Sequence, residues 1–202
     1  MNTADLGLPV DVPSTALFTD QYELTMLQAA LKAGTADRRS VFEVFTRRLP
    51  DGRRYGVVAG TGRVLDAVEN FRFDADVLGF LRERGIVDEQ TLQWLAGYRF
   101  GGDIWGYPEG EVYFPGSPVM RVEGTFAECV LLETVILSIL NHDSAIAAAA
   151  SRMSSAAGER PLIEMGARRT HELAAVAASR AAYVGGFTST DGLEGIFTPG
   201  AG

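Results

Sequence analysis

Between residues 161 and 190 the chain passes through an order of textures that few folds accommodate. A short apolar run (161–165) leads into a polar turn carrying two arginines (166–170). An Ala-rich stretch of helical periodicity follows (171–184), and then a second strand-like run, Gly185-Gly186-Phe187-Thr188. Short apolar runs bounded by turn residues read as buried strands. Strand, loop, helix, strand is a βαβ unit, whose two strands lie parallel. Two parallel strands bury too little to stand alone. The unit therefore has to be the beginning of a larger α/β layer.

What precedes it has a different texture. Residues 1–14 read as a flexible arm. Residues 20–33 carry Leu24, Met26, Leu27, Ala30 and Leu31 at helical spacing, with Gly34 as a stop. Residues 40–48 alternate and are rich in Val and Phe, so they read as a strand. Residues 55–59 form a second short apolar run, and the glycines from Gly56 to Gly62 read as a turn. Helices are expected over 62–70, 74–84 and 88–96, the last two with an Asp near each start. Gly, Pro and aromatic residues alternate through 100–118, as in short twisted strands joined by tight turns. One more strand is expected over 119–122. Residues 126–157 are a long helical stretch, and Asn141-His142-Asp143-Ser144 is expected to break it. The organisation expected is an arm (1–14), an α+β domain (15–144), the start of an α/β unit (145–190) and a tail (191–202).

Composition narrows the function. Apolar residues make up 47% of the chain and charged residues 22%, enough to build a sizeable core. The net charge of −8 argues against a nucleic-acid partner held by overall charge. A local arginine cluster could still take a small anion, and Lys32 is the only lysine. Cys129 is the single cysteine, so no disulfide or thiolate metal site can be built within the chain. It is expected to be a small buried hydrophobe. No signal peptide is visible, and the longest apolar run, 135–140, is too short to span a membrane. A cytoplasmic enzyme or binding domain is expected.

Four groups of residues could carry chemistry. Arg168 and Arg169 follow the 161–165 strand, and ligands of parallel α/β sheets collect at the carboxyl ends of strands. Forked guanidinium groups there suit a phosphate or carboxylate; the other reading pairs them with Glu164 or Glu172 as solvated loop charges. Thr19-Asp20-Gln21-Tyr22-Glu23 opens the first helix and reads as capping plus a tyrosine. His142 beside Asp143 suggests a helix break with local capping rather than general-base chemistry. Thr188, Ser189 and Thr190 put hydroxyls at the second strand's end, where β-propensity also explains them.

Taken in order, these segments resemble the nicotinate phosphoribosyltransferase family. The resemblance rests on Leu17-Phe18-Thr19-Asp20-Gln21-Tyr22-Glu23-Leu24-Thr25-Met26, on Phe42-Glu43-Val44-Phe45-Thr46-Arg47-Arg48-Leu49-Pro50 and on Gly56-Val57-Val58-Ala59-Gly60. It continues through Glu109-Gly110-Glu111-Val112-Tyr113-Phe114-Pro115-Gly116-Ser117-Pro118 and Leu131-Leu132-Glu133-Thr134. Ile163-Glu164-Met165-Gly166-Ala167-Arg168-Arg169 and Gly185-Gly186-Phe187-Thr188-Ser189-Thr190 complete it.

The resemblance implies an α+β N-terminal domain followed by the first βαβ of an incomplete α/β barrel of the type II phosphoribosyltransferase kind. It implies transfer of a phosphoribosyl group from phosphoribosyl pyrophosphate to nicotinate, with Mg²⁺ and ATP, in a homodimer whose active sites form between subunits. No nucleic acid or membrane partner is implied. Tyr22 matches the family tyrosine that reaches the base from the neighbouring subunit. Arg168 and Arg169 match the basic pair near the donor or the nicotinate carboxylate. Thr188, Ser189 and Thr190 match the strand end lining the base pocket, and Met165 stands where the family often has an aromatic ring. Neither His142 nor His171 matches the family's phosphorylated histidine, so no catalytic residue and no metal ligand is assigned. After Thr190 the sequence departs from the family pattern. The expectation is therefore a truncated chain, inactive alone or a non-catalytic remnant, with exposed apolar strand faces. The alternative is a nicotinamide- or quinolinate-type relative; Asp191 at the base pocket would by charge favour an amide over a carboxylate.

Overall fold

Residues 13–190 are described in the computed structural model of the chain. Helix α1 (Gln21–Ala33) is closed by Gly34. Strand β1 (Arg39–Phe45) and the short β2 (Gly56–Val57) follow, then helices α2 (Thr61–Glu69), α3 (Ala75–Glu83) and α4 (Glu89–Ala96). Asp74 and Asp88 cap α3 and α4, accepting the amides of Val77 at 2.9 Å and Thr91 at 3.0 Å. Strands β3 (Asp103–Gly106), β4 (Val112–Tyr113) and β5 (Pro118–Thr125) come next, then the short helix α5 (Phe126–Val130) and the long helix α6 (Glu133–Ala157). The chain closes through β6 (Ile163–Glu164), α7 (Glu172–Val184) and β7 (Ser189–Thr190).

The strands form three separate sheets. The largest has the order β1–β5–β3, antiparallel throughout, with Phe42 opposite Val122 and Ile104 on its other side. Alternation in β1 turns Phe42 and Val44 toward the core and leaves Val41 and Phe45 exposed. β2 pairs with β4 antiparallel. β6 and β7 pair parallel, Ile163 opposite Ser189 and Glu164 opposite Thr190, with α7 between them in sequence. This is the βαβ unit expected from the sequence.

The main core gathers Leu27, Val64, Phe71, Leu95, Met120 and Leu131. A second cluster joins Val57 and Ala59 to Ala147, Ala148 and Ala181, with Tyr55 and Val184 against it. Its small side chains let α6 and α7 approach closely. A Cβ added at Gly185 would lie 2.5 Å from the Ala150 Cβ and 2.7 Å from the Ala147 carbonyl, so only glycine fits at that contact. Cys129 is buried as expected, and burial pushes its thiol up to about 11.

Some expectations need correction. Helix α6 is a single element of 25 residues, and it runs through Asn141-His142-Asp143-Ser144 without a break. The polar side chains there do not cap, and those of Asp143 and Ser144 reach across to neighbouring elements. The buried Asp143 carboxylate accepts both oxygens' bonds from Arg63 Nη1, at 2.8 and 2.9 Å, and His142 Nδ1 lies 2.7 Å from Oδ1. Ser144 meets the Ala59 backbone. The polar turn after β6 is a 3-10 turn, Gly166–Arg169. The second strand begins later than expected, because Gly185 and Gly186 are spent closing α7. Of the expected arm, residues 1–12 lie outside the described residues, and Ser14 is tied by a hydroxyl bond to the Arg72 carbonyl. The tail at 191–202, with Asp191, lies outside them too. The apolar face is exposed at Ile163 and Met165, while Phe187 is half-buried.

The buried carboxylate generates a stability prediction. Breaking a buried pair by removing one partner costs about 3–5 kcal/mol. Arg63 is 38% exposed, so water can partly replace it and the low end applies. Arg63→Ala is expected to lower the urea-unfolding free energy by about 3 kcal/mol. Adding Asp143→Leu to that variant is expected to recover part of the loss. Equal stability of Arg63→Ala and the parent chain would contradict the assignment.

Candidate active site

The carboxyl end of β6 is organised by one carboxylate. Glu164 Oε2 accepts from the Ser179 hydroxyl of α7 at 2.8 Å and from the Thr190 hydroxyl of β7 at 3.1 Å. Its Oε1 accepts the amide of Gly166, the first residue of the 3-10 turn. Strand, turn, helix and second strand thus converge on Glu164. The turn holds Arg168 and Arg169 outward, and both are exposed. Among the described residues neither guanidinium makes an ion pair or a hydrogen bond. Glu164 is occupied by other donors, and Glu172 lies 3.5 Å from His171. The reading in which these arginines neutralise Glu164 or Glu172 is therefore not what the structure holds. Two unpaired, forked cations side by side at a strand end can take a phosphate or carboxylate bidentately.

The other residues expected at this end take different roles. The Thr188 hydroxyl donates to the Leu162 carbonyl at 2.9 Å, and Thr190 is bound to Glu164, so both brace the strand pair. Ser189 is exposed. Met165 is 54% exposed beside the arginine turn and could pack against a ring.

Tyr22 lies elsewhere. It stands on the first turn of α1, at the mouth of a cavity of about 790 Å³ between the β1–β2 loop and α6. Desolvation, then the neighbouring Glu133 carboxylate, which accepts its hydroxyl, push the phenol up to about 12. None of Met165, Arg168, Arg169, Thr188, Ser189 or Thr190 lines that cavity. Within one chain the structure does not bring Tyr22 and the arginine pair together. Beside Tyr22, the buried Glu23 takes the amide and hydroxyl of Thr134 at 2.9 and 2.8 Å and the Asp20 amide at 3.0 Å, which locks α1 to the start of α6.

The sequence reading missed several of these residues. Glu164 was legible in principle, as the one charge in an otherwise apolar strand. The pair of Glu109 with Arg180, at 2.8 and 2.6 Å, was not, because its partners stand 71 positions apart. Burial works to raise Glu109, but bonds from Arg180 and the Gly60 amide hold its carboxyl below the usual carboxylate range. This pair fastens α7 to the β3–β4 loop, and the Gly60 amide ties the same carboxylate to the turn before α2. The two histidines serve the scaffold: His142 adjoins Asp143, and His171 accepts the Leu173 amide at the start of α7. Among the described residues no helix is long and apolar enough to cross a membrane.

Comparison with known proteins points one way. The profile of the nicotinate phosphoribosyltransferase (NAPRTase) N-terminal domain matches residues 17–141. A curated nicotinate phosphoribosyltransferase of Mycobacterium tuberculosis is 63% identical over 187 residues, which is 93% of this chain and 41% of that protein. The crystal structure of human nicotinic acid phosphoribosyltransferase superposes with a TM-score of 0.80 at 32% identity, covering 89% of this chain and 37% of that one. The nicotinate-nucleotide pyrophosphorylase of Pyrococcus furiosus superposes with a TM-score of 0.70 at 25% identity, covering 93% and 42%. The chain thus spans about two-fifths of the length of these relatives.

The raised Tyr22 phenol has a measurable consequence. An unfolded tyrosine ionises near 10 and Tyr22 near 12, so its contribution to stability is present below pH 10 and is lost as the pH climbs toward 12. Tyr22→Phe cannot ionise. In urea melts taken through that window, the parent chain is expected to lose stability relative to Tyr22→Phe. A difference between the two that stays constant with pH would count against the Glu133 contact.

Proposed function

The chain belongs to the nicotinate phosphoribosyltransferase family, and from that premise we propose that it forms part of an enzyme of NAD biosynthesis. That enzyme joins nicotinate to 5-phosphoribosyl 1-pyrophosphate, with ATP hydrolysis, and releases nicotinate mononucleotide and pyrophosphate. A cytoplasmic homodimer is the setting this reading implies. The observation that carries it is the unpaired Arg168 and Arg169 at the carboxyl end of β6, held outward by the Glu164 hub.

In this reading residues 15–144 are the α+β domain, and residues 145–190 begin an incomplete α/β barrel of the type II phosphoribosyltransferase kind. The parallel β6–β7 pair and the likeness to the human structure support it. The arginine pair binds the donor's phosphates or the nicotinate carboxylate before reaction. When the ring nitrogen attacks the anomeric carbon, negative charge grows on the departing pyrophosphate. The guanidinium groups would stabilise that charge by charge-assisted hydrogen bonds. Met165 and the Thr188, Ser189 and Thr190 strand end flank the base. Tyr22 closes the pocket from the second subunit, a division supported by Tyr22 lining a cavity that neither arginine lines within one chain.

Mg²⁺ belongs to the proposed reaction, where it would neutralise the pyrophosphate. Among the described residues no three His, Cys, Asp or Glu side chains gather to hold a metal. No phosphate-carrying role is assigned to His142 or His171.

Calorimetric titration of the 202-residue chain with phosphoribosyl pyrophosphate tests the reading. Saturable binding is expected, weakened about tenfold by Arg168→Ala or Arg169→Ala, since each removes a charge-assisted hydrogen-bonding group. Binding that survives both substitutions unchanged would remove the basis for the assignment.

A further inference from the structure

Ser179 and Arg180 are neighbours on α7, about 100° apart around its axis, and they face different parts of the molecule. Ser179 donates to Glu164 Oε2 at 2.8 Å and lies 3.1 Å from the Thr190 hydroxyl, on the side of the β6–β7 pair. Arg180 donates through both Nη atoms to Glu109 of the β3–β4 loop, at 2.8 and 2.6 Å. One turn of helix thus joins the strand end to the α+β domain.

The other contacts of α7 leave this pair a part to play. Ala147 and Ala148 of α6 pack on Ala181 of α7. Methyl groups offer shallow ridges, so they set how closely α7 lies more than its register along α6. The Ser154 hydroxyl holds the Gly185 carbonyl at 2.9 Å, at the end of α7. That bond is a single pivot. The Glu109–Arg180 pair is a second polar point, about 7.5 Å back along the helix axis. Two points set the direction of a helix where one does not. The two side chains are 24% and 19% exposed, so water competes little for them.

The members of the pair are not equivalent. Glu109 Oε1 accepts the Gly60 amide at 2.6 Å, and the Gly62 amide bonds the same carboxylate, both at the start of α2. A Cβ added at Gly62 would lie 3.4 Å from Arg180 Nη2, so the guanidinium rests against that same turn. The amino end of a helix is its positive end. Glu109 shields Arg180 from it. Asp143 and Asp66 also act on Arg180, but Asp143 is already bonded to Arg63. Without Glu109, α7 would carry an underpaired cation toward the positive end of α2.

We propose that Arg180 and Glu109 are positioning residues for the strand-end site. They act through α7: the pair sets the direction of the helix, Ser179 carries that setting to Glu164, and Glu164 sets the turn that presents Arg168 and Arg169. The proposal rests on the reading of Arg168 and Arg169 as the anion site.

Two readouts on the 202-residue chain test it: the backbone amide resonances of Gly166, Arg168 and Arg169 without ligand, and the calorimetric affinity for phosphoribosyl pyrophosphate. In Glu109→Ala the amides are expected to shift and the affinity to fall about tenfold, within the loss a remote misplacement of about 1 Å can cause. Arg180→Lys keeps the charge and loses the fork, and is expected to shift the amides in the same direction by less. Glu109→Ala combined with Arg180→Ala is expected to lie closer to the parent than Glu109→Ala alone, because no unpaired cation remains. Asp74→Ala, which removes the α3 cap, is the control for stability alone. It is expected to lower the urea midpoint and to leave amides and affinity unchanged. If Glu109→Ala does not fold, Arg180→Lys carries the test. Unshifted amides in every folded variant of the pair would overturn the proposal and leave the strand-end reading intact. Equal shifts in Asp74→Ala would overturn it too, since they would report general loosening. Amide shifts as expected in a parent chain that does not bind phosphoribosyl pyrophosphate would uphold the positioning and remove the strand-end reading instead.

Discussion

The structure depends on a carboxylate buried in the middle of a helix. Asp143 is 1% exposed, and an isolated charge at that depth would be far too costly to keep. Arg63 answers it through both oxygens, and the answer fixes α2 against α6. With that pair in place α6 continues unbroken and serves as the beam of the molecule. Its first turn takes Glu23 from α1, and its middle holds Ala59 through Ser144. Its last turns hold Tyr55 through Arg152 and Gly185 through Ser154. Helix α7 lies on the same beam, against small residues that leave room for nothing larger than Gly185.

The strand end and the Tyr22 cavity are both positioned by this beam. Helix α7 carries Ser179, which holds Glu164, which in turn sets the turn presenting Arg168 and Arg169. One face of α6 forms a wall of the cavity that Tyr22, Arg48 and Arg53 line. The two centres share no lining residue, and Tyr22 belongs to the cavity rather than to the strand end. A site made of Tyr22 and Arg168 therefore needs a second copy of the chain, which is the arrangement proposed for the enzyme.

Much of this was legible in the sequence because it is local. The caps at Asp74 and Asp88, the stop at Gly34 and the alternation of β1 are written within a few residues of where they act. The βαβ unit was legible because changes of period mark its edges. The errors have a common cause. Asn141-His142-Asp143-Ser144 looked like a break because polar residues usually serve their own backbone, yet Asp143 and Ser144 serve Arg63 and Ala59, 80 and 85 positions away. The bonds of Thr188 to the Leu162 carbonyl and of Thr190 to Glu164, 26 positions away in each case, were hidden for the same reason. Partners distant in sequence leave no local signature. The place of Arg168 and Arg169 after β6 was legible for the opposite reason: a position at a strand end can be read without knowing any distant partner.

The central claim is that Arg168 and Arg169 stand ready for an anion while the scaffold arginines are already committed. Guanidinium Nε–Hε resonances of the isotopically labelled chain test this directly. On adding phosphoribosyl pyrophosphate, the Arg168 and Arg169 signals are predicted to shift and sharpen. Those of Arg63 and Arg180, bound to Asp143 and Glu109, are predicted to stay in place. Shifts at Arg63 or Arg180 with none at Arg168 and Arg169 would contradict the account.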